Sequence, residues 1–445
     1  MKKLTYFLLF ISYLLASCTK EDEPDTSNYF PRIFDGGLVF QSPSRIIQEG
    51  DSAVYTGLLF SPKPLEKTKV SWKVNGQEVS TDTAFVFAPQ EGGEFEVRLE
   101  ASYNGQTATR ISKVLVSPAS YTPKPSPHVI LSYLSENATA AGISWSDVTH
   151  IAFNGARVLP GGTVDFSKSN QNQNLDELVA RGHINGIPVL LGVSGRLSGV
   201  DGWSLYNSND FGSSISDPVL RASLVQTLAS YVQDHRLDGI DIMMTDLGND
   251  DYATAAGNAA AVGPFLAALK AVLPEGAIVT VTATTNFMHW EYTDLSAADW
   301  INVHAFENGV TVGPGAKPGQ PSPFGFMTAG GAIWVSKGIP ASKLVLGIPA
   351  FGLRYNELDA NGNNASWGSY DYMPFSAIVA ADASALEKDS TMTIAKGVYY
   401  NGKPLVTEKA TYIKDQGFRG AYLWASDYDA PEGNSLLKVL SGILK

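Results

Sequence analysis

The run Leu237-Asp238-Gly239-Ile240-Asp241-Ile242-Met243-Met244-Thr245-Asp246 sets carboxylates at the start, middle and end of a short apolar stretch that reads as a buried strand. Side chains alternate faces along a strand, so Asp241, Met243 and Thr245 share one face and Asp246 falls on the other. Two carboxyls on one face, one protonated and one ionised, would support general acid–base chemistry. Here that face carries one carboxylate, a thioether and a hydroxyl. A threonine hydroxyl does not release its proton near neutral pH, and a methionine balances no charge. Asp246 would need a bulge or a loop break after Met244 to turn inward; a loop carboxylate or cap is the plainer role. The six histidines show no pair at metal-ligand spacing, and a single cysteine, Cys18, builds no thiolate site, so no metal and no cofactor are expected. Ser194 in Gly192-Val193-Ser194-Gly195 lacks the flanking pattern of a nucleophile elbow.

The elements that would position these residues are readable. A chain of 445 residues is long for one domain. Its 44% hydrophobic and 17% charged composition is globular. From residue 128 onward, apolar stretches at 129–133, 150–154, 188–193, 239–243, 278–283, 300–305, 344–349 and 420–424 alternate with amphipathic helices. This is the pattern of parallel βα units, and eight of them predict a (β/α)8 TIM barrel over 128–445. One helix leads into Asp238: Ser216 is placed to cap it, Pro218 falls in its first turn, and Leu220, Leu224, Leu228 and Val232 repeat every four residues.

Residues 32–117 show short alternating stretches, such as Val70-Ser71-Trp72-Lys73-Val74, separated by Asn75-Gly76, Gly92-Gly93 and Asn104-Gly105. They predict an all-β, immunoglobulin-like sandwich with Trp72 in its core, making the chain multidomain. Four prolines within 118–127 mark an extended linker. At the start, Met1-Lys2-Lys3 followed by the apolar run to Leu15 has the charge and length of a secretory signal, 1–17, and not of a membrane span. The formal charge of −12, with no basic cluster, argues against nucleic acid as a partner.

Several segments carry resemblances to known families. Asp238, Gly239 and Asp241 match the catalytic strand of glycoside hydrolase family 18, Asp-Gly-x-Asp-x-Asp-x-Glu, whose last two acids stand here as Met243 and Thr245. Lys343-Leu344-Val345-Leu346-Gly347-Ile348-Pro349-Ala350-Phe351-Gly352 resembles the seventh strand of that family. Gly417-Phe418-Arg419-Gly420-Ala421-Tyr422-Leu423-Trp424-Ala425-Ser426-Asp427-Tyr428-Asp429 resembles the eighth, and Asn302-Val303-His304-Ala305-Phe306-Glu307 aligns with the sixth, where a tyrosine is usual in place of Phe306. Leu190 to Gly195 matches the third strand loosely. The short stretch between the seventh and eighth strands implies that the extra α+β domain of many relatives is absent or reduced. The sandwich is similar to polycystic-kidney-disease (PKD) modules. Leu15-Ala16-Ser17-Cys18 resembles a lipobox, implying acylation at Cys18, and Thr19-Lys20-Glu21-Asp22-Glu23 in the acidic tether 18–31 resembles a surface-export signal. The expected location is the outer membrane, facing outward.

The family resemblance implies hydrolysis of β-linked N-acetylglucosaminides, with the substrate's acetamido oxygen as nucleophile, a Glu as acid, and an Asp and a Tyr orienting the acetamido group. All three positions are altered, by Thr245, Met243 and Phe306. The chain therefore reads as a pseudoenzyme that captures N-acetylglucosamine-containing glycans, with Tyr133, Asn154, Asp241, Asn286, Trp290, Phe306, Glu307, Arg354 and Trp424 as binding residues and hydrolases and a glycan importer as partners. Asp246 or Glu307 as a relocated acid would instead make it an active chitinase or endo-β-N-acetylglucosaminidase. A barrel mouth plugged by Met243 would make it a protein-binding scaffold.

Overall fold

The computed structural model describes residues 29–445 apart from 41–43, 63–66, 136–137, 168–171, 196–209, 245–251, 286, 308–310 and 432. The expected signal peptide, Cys18 and nearly all of the tether lie outside the described residues, as do Thr245, Asp246 and Asn286. The chain divides into two compact units, with the boundary after Val116.

In the first unit a five-stranded sheet runs in the order Ser44–Gln48, Gln106–Ser117, Gly93–Tyr103, Lys69–Val74, Gln77–Ser80. Two further antiparallel pairs join Arg32–Asp35 to Leu58–Ser61 and Ala53–Tyr55 to Phe85–Phe87. Asn75-Gly76 and Asn104-Gly105 turn the hairpins with positive φ at both residues, 49° and 83° in the first and 47° and 75° in the second. Asn-Gly tolerates this conformation better than other pairs do. Trp72 is fully buried between Phe40 and Phe85, and its indole N–H donates to the Asp82 carbonyl at 2.9 Å. It is a core residue, as its place on a middle strand predicts.

The second unit is a closed parallel barrel. Its strands are β1 (Val129–Leu134), β2 (His150–Val158), β3 (Val189–Gly195), β4 (Gly239–Met244), β5 (Ile278–Ala283), β6 (Trp300–Val303), β7 (Leu344–Pro349) and β8 (Gly420–Trp424). Each pairs with its neighbour in chain order, and β1 pairs with both β2 and β8, which closes the ring. Outside the strands pack α1 (Asn172–Ile184), α2 (Asp210–Ser216), α3 (Pro218–Asp234), α4 (Tyr252–Val272), α5 (Phe324–Ser336), α6 (Phe375–Ala381), α7 (Lys403–Asp415) and α8 (Leu436–Leu444). α4 is apolar along most of its length because Val262, Phe265, Leu266 and Leu269 are fully buried in the barrel's outer core.

Asp217, not Ser216, caps α3: its carboxylate accepts from the N–H groups of Val219 at 2.8 Å and Leu220 at 3.0 Å. The Ser216 hydroxyl instead closes α2, donating to the Gly212 carbonyl and meeting Asn258 Oδ1, each at 2.8 Å. Between β7 and β8 the chain inserts a small antiparallel sheet in the order Tyr370–Pro374, Phe351–Tyr355, Val398–Tyr399, Ser390–Thr391. This small sheet stands where the extra α+β domain was expected to be absent or reduced.

Residues 118–127, read as an extended linker, are fastened to the base of the barrel at Tyr121. Tyr121 stacks on His183 with ring centroids 4.1 Å apart and donates its hydroxyl to Asp238 at 2.7 Å. Asp238 also accepts from the Val189 N–H at 2.7 Å and meets His183 Nε2 at 3.0 Å. The first acid of the strand motif therefore ties the entering segment to β3 and α1 at the end of β4 away from the mouth.

Candidate active site

Three residues beyond Asp238, Asp241 sits on the barrel axis, in register with Gly192 of β3 and Thr280 of β5, and is fully buried. Tyr133 donates to Oδ2 at 2.6 Å, Asn302 donates to Oδ1 at 2.7 Å, and the Thr280 hydroxyl also bonds Oδ1. Asn302 is itself oriented by the Trp300 indole N–H at 3.0 Å and reaches the Tyr133 hydroxyl at 3.0 Å. Burial raises the Asp241 pKa from 3.8 to about 6, with the Thr280, Tyr133 and Asn302 hydrogen bonds opposing the rise. Asp241 was expected to bind glycan, but it does not line the cavity above it. It ties β1, β4, β5 and β6 together from below.

Above this layer lies a cavity of about 120 Å³ lined by Tyr133, Met243, Thr282, His304, Phe306, Glu307, Tyr422 and Trp424. Met243 follows Asp241 on the same face and is 5% exposed. It fits because β3 has a glycine opposite: a Cβ on Gly192 would stand 2.6 Å from the Met243 sulfur and 2.5 Å from the Phe153 carbonyl oxygen. Trp424 ends β8 at a cis peptide bond to Ala425, its ring 5.1 Å from that of Tyr133. Gly347 on β7 leaves a similar niche, where a Cβ would lie 2.5 Å from the Tyr422 hydroxyl and 2.9 Å from the Phe306 ring.

Glu307 stands at the rim with φ of 61°, a left-handed conformation that costs a non-glycine residue roughly 1–2 kcal/mol. Its carboxylate meets His304 Nε2 at 3.1 Å. Desolvation acts to raise its pKa, but the hydrogen bond and charge of His304 outweigh it and hold the carboxyl below the usual range. Glu307 and Trp424 also border a second cavity of about 280 Å³, walled by Phe351, Tyr372, Pro374 and Tyr428. Sharing Glu307 and Trp424, the two make a groove whose walls are mostly aromatic. A wider cleft of about 610 Å³ includes Ser144, Asp147, Ser426, Asp429 and Lys438 among its walls. There the Asp429 carboxylate is already satisfied by Ser435 and the N–H groups of Ala430, Leu436 and Leu437.

Of the residues singled out from sequence, Tyr133, Met243, Phe306, Glu307 and Trp424 converge on the cavity. Besides Asp241, three binding candidates do not. Asn154 is half-buried at an irregularity of β2 and lines neither cavity of the groove. Trp290 is 63% exposed on the turn Phe287–Glu291 and lines neither. Arg354, in the inserted sheet, is held by both oxygens of Asp371 at 2.8 and 2.6 Å. Thr282, His304 and Tyr422 were missed. His304 and Tyr422 each lie two residues from a recognised position on the same strand or its extension, Phe306 and Trp424, so the alternation of faces would have found them; Thr282 had no such neighbour on its strand. Among the described residues no group of three or more His, Cys, Asp or Glu is placed to hold a metal ion.

Comparisons with known proteins agree with this architecture. The family model for glycosyl hydrolases family 18 matches residues 118–429, and a PKD-like domain model matches 58–103. A "chitinase-like effector" of Moniliophthora perniciosa is 28% identical over 239 residues, covering 47% of this chain and 51% of that protein. The chain spans about half to two-thirds of the first curated relatives it matches. The fold is shared with a family 18 chitinase from the chitin utilization locus of Flavobacterium johnsoniae, at TM-score 0.58 and 23% identity, covering 72% of this chain and 94% of that one. It is shared as well with a mutant class V chitinase of Nicotiana tobaccum solved in complex with NAG4, at TM-score 0.56 and 18% identity, covering 71% and 99%.

Proposed function

Because the chain belongs to glycosyl hydrolases family 18, we propose that its barrel binds N-acetylglucosamine-containing glycans without hydrolysing them. The observation that carries this reading is the composition of the cavity: Met243 and Phe306 supply apolar walls, Trp424 and Tyr133 supply ring faces, and the sole carboxyl among the described lining residues is Glu307. Ring faces suit the apolar face of a pyranose, with polar tips to hold its hydroxyls. An acid catalyst must be protonated at working pH, whereas Glu307 is held ionised by His304. This opposes Glu307 as a relocated acid. The complex of the tobacco relative with NAG4 supports the ligand class, and the chitinase-like effector name supports a role apart from hydrolysis.

The same reading makes the protein an outer-membrane lipoprotein, acylated at Cys18 and facing outward, that delivers captured glycan to hydrolases and an importer. Tethering raises the local concentration of captured chains near such partners. The alternatives are a hydrolase using Asp246 or Glu307 as a relocated acid, and a protein-binding scaffold. Titration calorimetry with chitooligosaccharides and N-glycans tests the reading: heat of binding to one class is expected, and none with either leaves the scaffold. Overnight digestion of the same glycans, followed by mass spectrometry, is expected to return them intact; cleavage lost in Asp246→Ala or Glu307→Ala would restore the enzyme.

A further inference from the structure

One polar group in the cavity wall has nothing to bond among the described residues. Tyr422 is 2% exposed, and its hydroxyl is buried with no hydrogen-bond partner among them. The other hydroxyls nearby are engaged: Tyr133 donates to Asp241, and Thr282 bonds Tyr133. His304 and Glu307 bond each other. An orphaned buried donor costs about 1–3 kcal/mol, so a phenol left in this state is a site awaiting an acceptor.

Accepting the glycan-binding reading above, we propose that the Tyr422 hydroxyl is the donor that recognises the acetamido carbonyl oxygen of an N-acetylhexosamine bound against Trp424. The choice of acceptor follows from the surroundings. Phe306, Met243 and the Trp424 ring offer no ready acceptor for a second proton, and the Glu307 carboxylate and Thr282 hydroxyl of the same lining already bond His304 and Tyr133, so a sugar hydroxyl bonded to Tyr422 finds few partners for its own proton. An amide carbonyl brings no such proton, and the acetamido methyl suits the apolar wall. The hydroxyl and the edge of the Phe306 ring crowd the same niche over Gly347, so the acyl group reaches the phenol by displacing that ring. A hydroxyl on β8 thus supplies a donor in a pocket where β6 presents a phenylalanine.

The test compares the full-length protein with Tyr422→Phe, using tetra-N-acetylchitotetraose and its fully de-N-acetylated counterpart. Tyr422→Phe is expected to weaken binding of the acetylated ligand by about five- to fiftyfold, the range of one buried hydrogen bond, and to leave the other ligand's affinity unchanged. Its free-state Tm is expected to match or exceed the wild-type value, because the variant removes an unpaired donor. Equal affinity of wild type and variant for the acetylated ligand, or equal loss for both ligands, overturns the assignment. A lowered Tm with unchanged affinity makes the hydroxyl structural and also overturns it. If the wild type binds neither oligosaccharide, the glycan-binding reading fails first, a result distinct from the other three.

Discussion

Asp241 offers a quantitative test of how the barrel is held together. Its carboxyl titrates at about 6 in the folded protein against an ordinary 3.8. For an acid whose pKa is raised by folding, the stabilising form is the neutral one. Its contribution is complete below the unfolded value and is lost as pH rises through the folded value. Integrating the linkage relation between these values gives a loss of about 1 kcal/mol by pH 4.5 and about 3 kcal/mol by pH 7. Asp241→Asn removes the titration while keeping the shape and an acceptor for Thr280 and Asn302. Wild type should therefore lose about 2 kcal/mol more than the variant between pH 4.5 and pH 7. The group is fully buried, so solvent screening calls for no discount. The assay is urea unfolding at several pH values, read by hydrogen exchange in peptides from β4 and β6 so that the sandwich does not enter the signal. A difference between wild type and variant that stays constant from pH 4.5 to pH 7 would refute the reasoning.

Trp424→Ala should weaken glycan binding by about 1.4–2.8 kcal/mol, ten- to a hundredfold by calorimetry, since it removes the ring shared by both cavities. Gly192→Ala should destabilise the barrel by about 1–3 kcal/mol in denaturant melts, and adding Met243→Ala should rescue only part of the loss because the Phe153 backbone oxygen cannot yield. Restoring the family pattern with Met243→Asp, Thr245→Glu and Phe306→Tyr should raise cleavage of chitotetraose by at least about a hundredfold over the parent chain, measured by mass spectrometry. Failure of that triple variant to cleave at all would show that the altered positions alone do not account for a silent site.

The strands were legible because each is a run of apolar residues bounded by turn residues, and β5, β7 and β8 begin and end where the pattern places them. The sixth ended early, at Val303, because His304 to Glu307 leave the ladder to carry polar groups to the rim. Trp424, Phe306 and Glu307 were found through motif positions. Tyr422 and Thr282 were overlooked because a tyrosine and a threonine in a buried strand read as packing, and only the geometry shows one hydroxyl engaged and the other bare. Arg354 and Asn154 were overvalued for the opposite reason: a polar residue near a strand end was credited to the mouth, although Asp371 satisfies the arginine. The choice of Ser216 over Asp217 as a cap could not be made from residue type, since both are good caps and the boundary between α2 and α3 decides.

The division of the barrel interior into a closing layer and a mouth layer bears on protein engineering. Asp241, Thr280 and Asn302 fasten the strands below, while Met243, Thr282, Phe306, Tyr422 and Trp424 face the cavity above. A combinatorial library confined to Met243, Phe306, Tyr422 and Trp424 would explore new ligand specificities without disturbing the closure of the ring, Thr282 being left out because its hydroxyl bonds Tyr133. Tyr133 is the exception that such a library must leave fixed, because its hydroxyl belongs to the lower layer and its ring to the upper one.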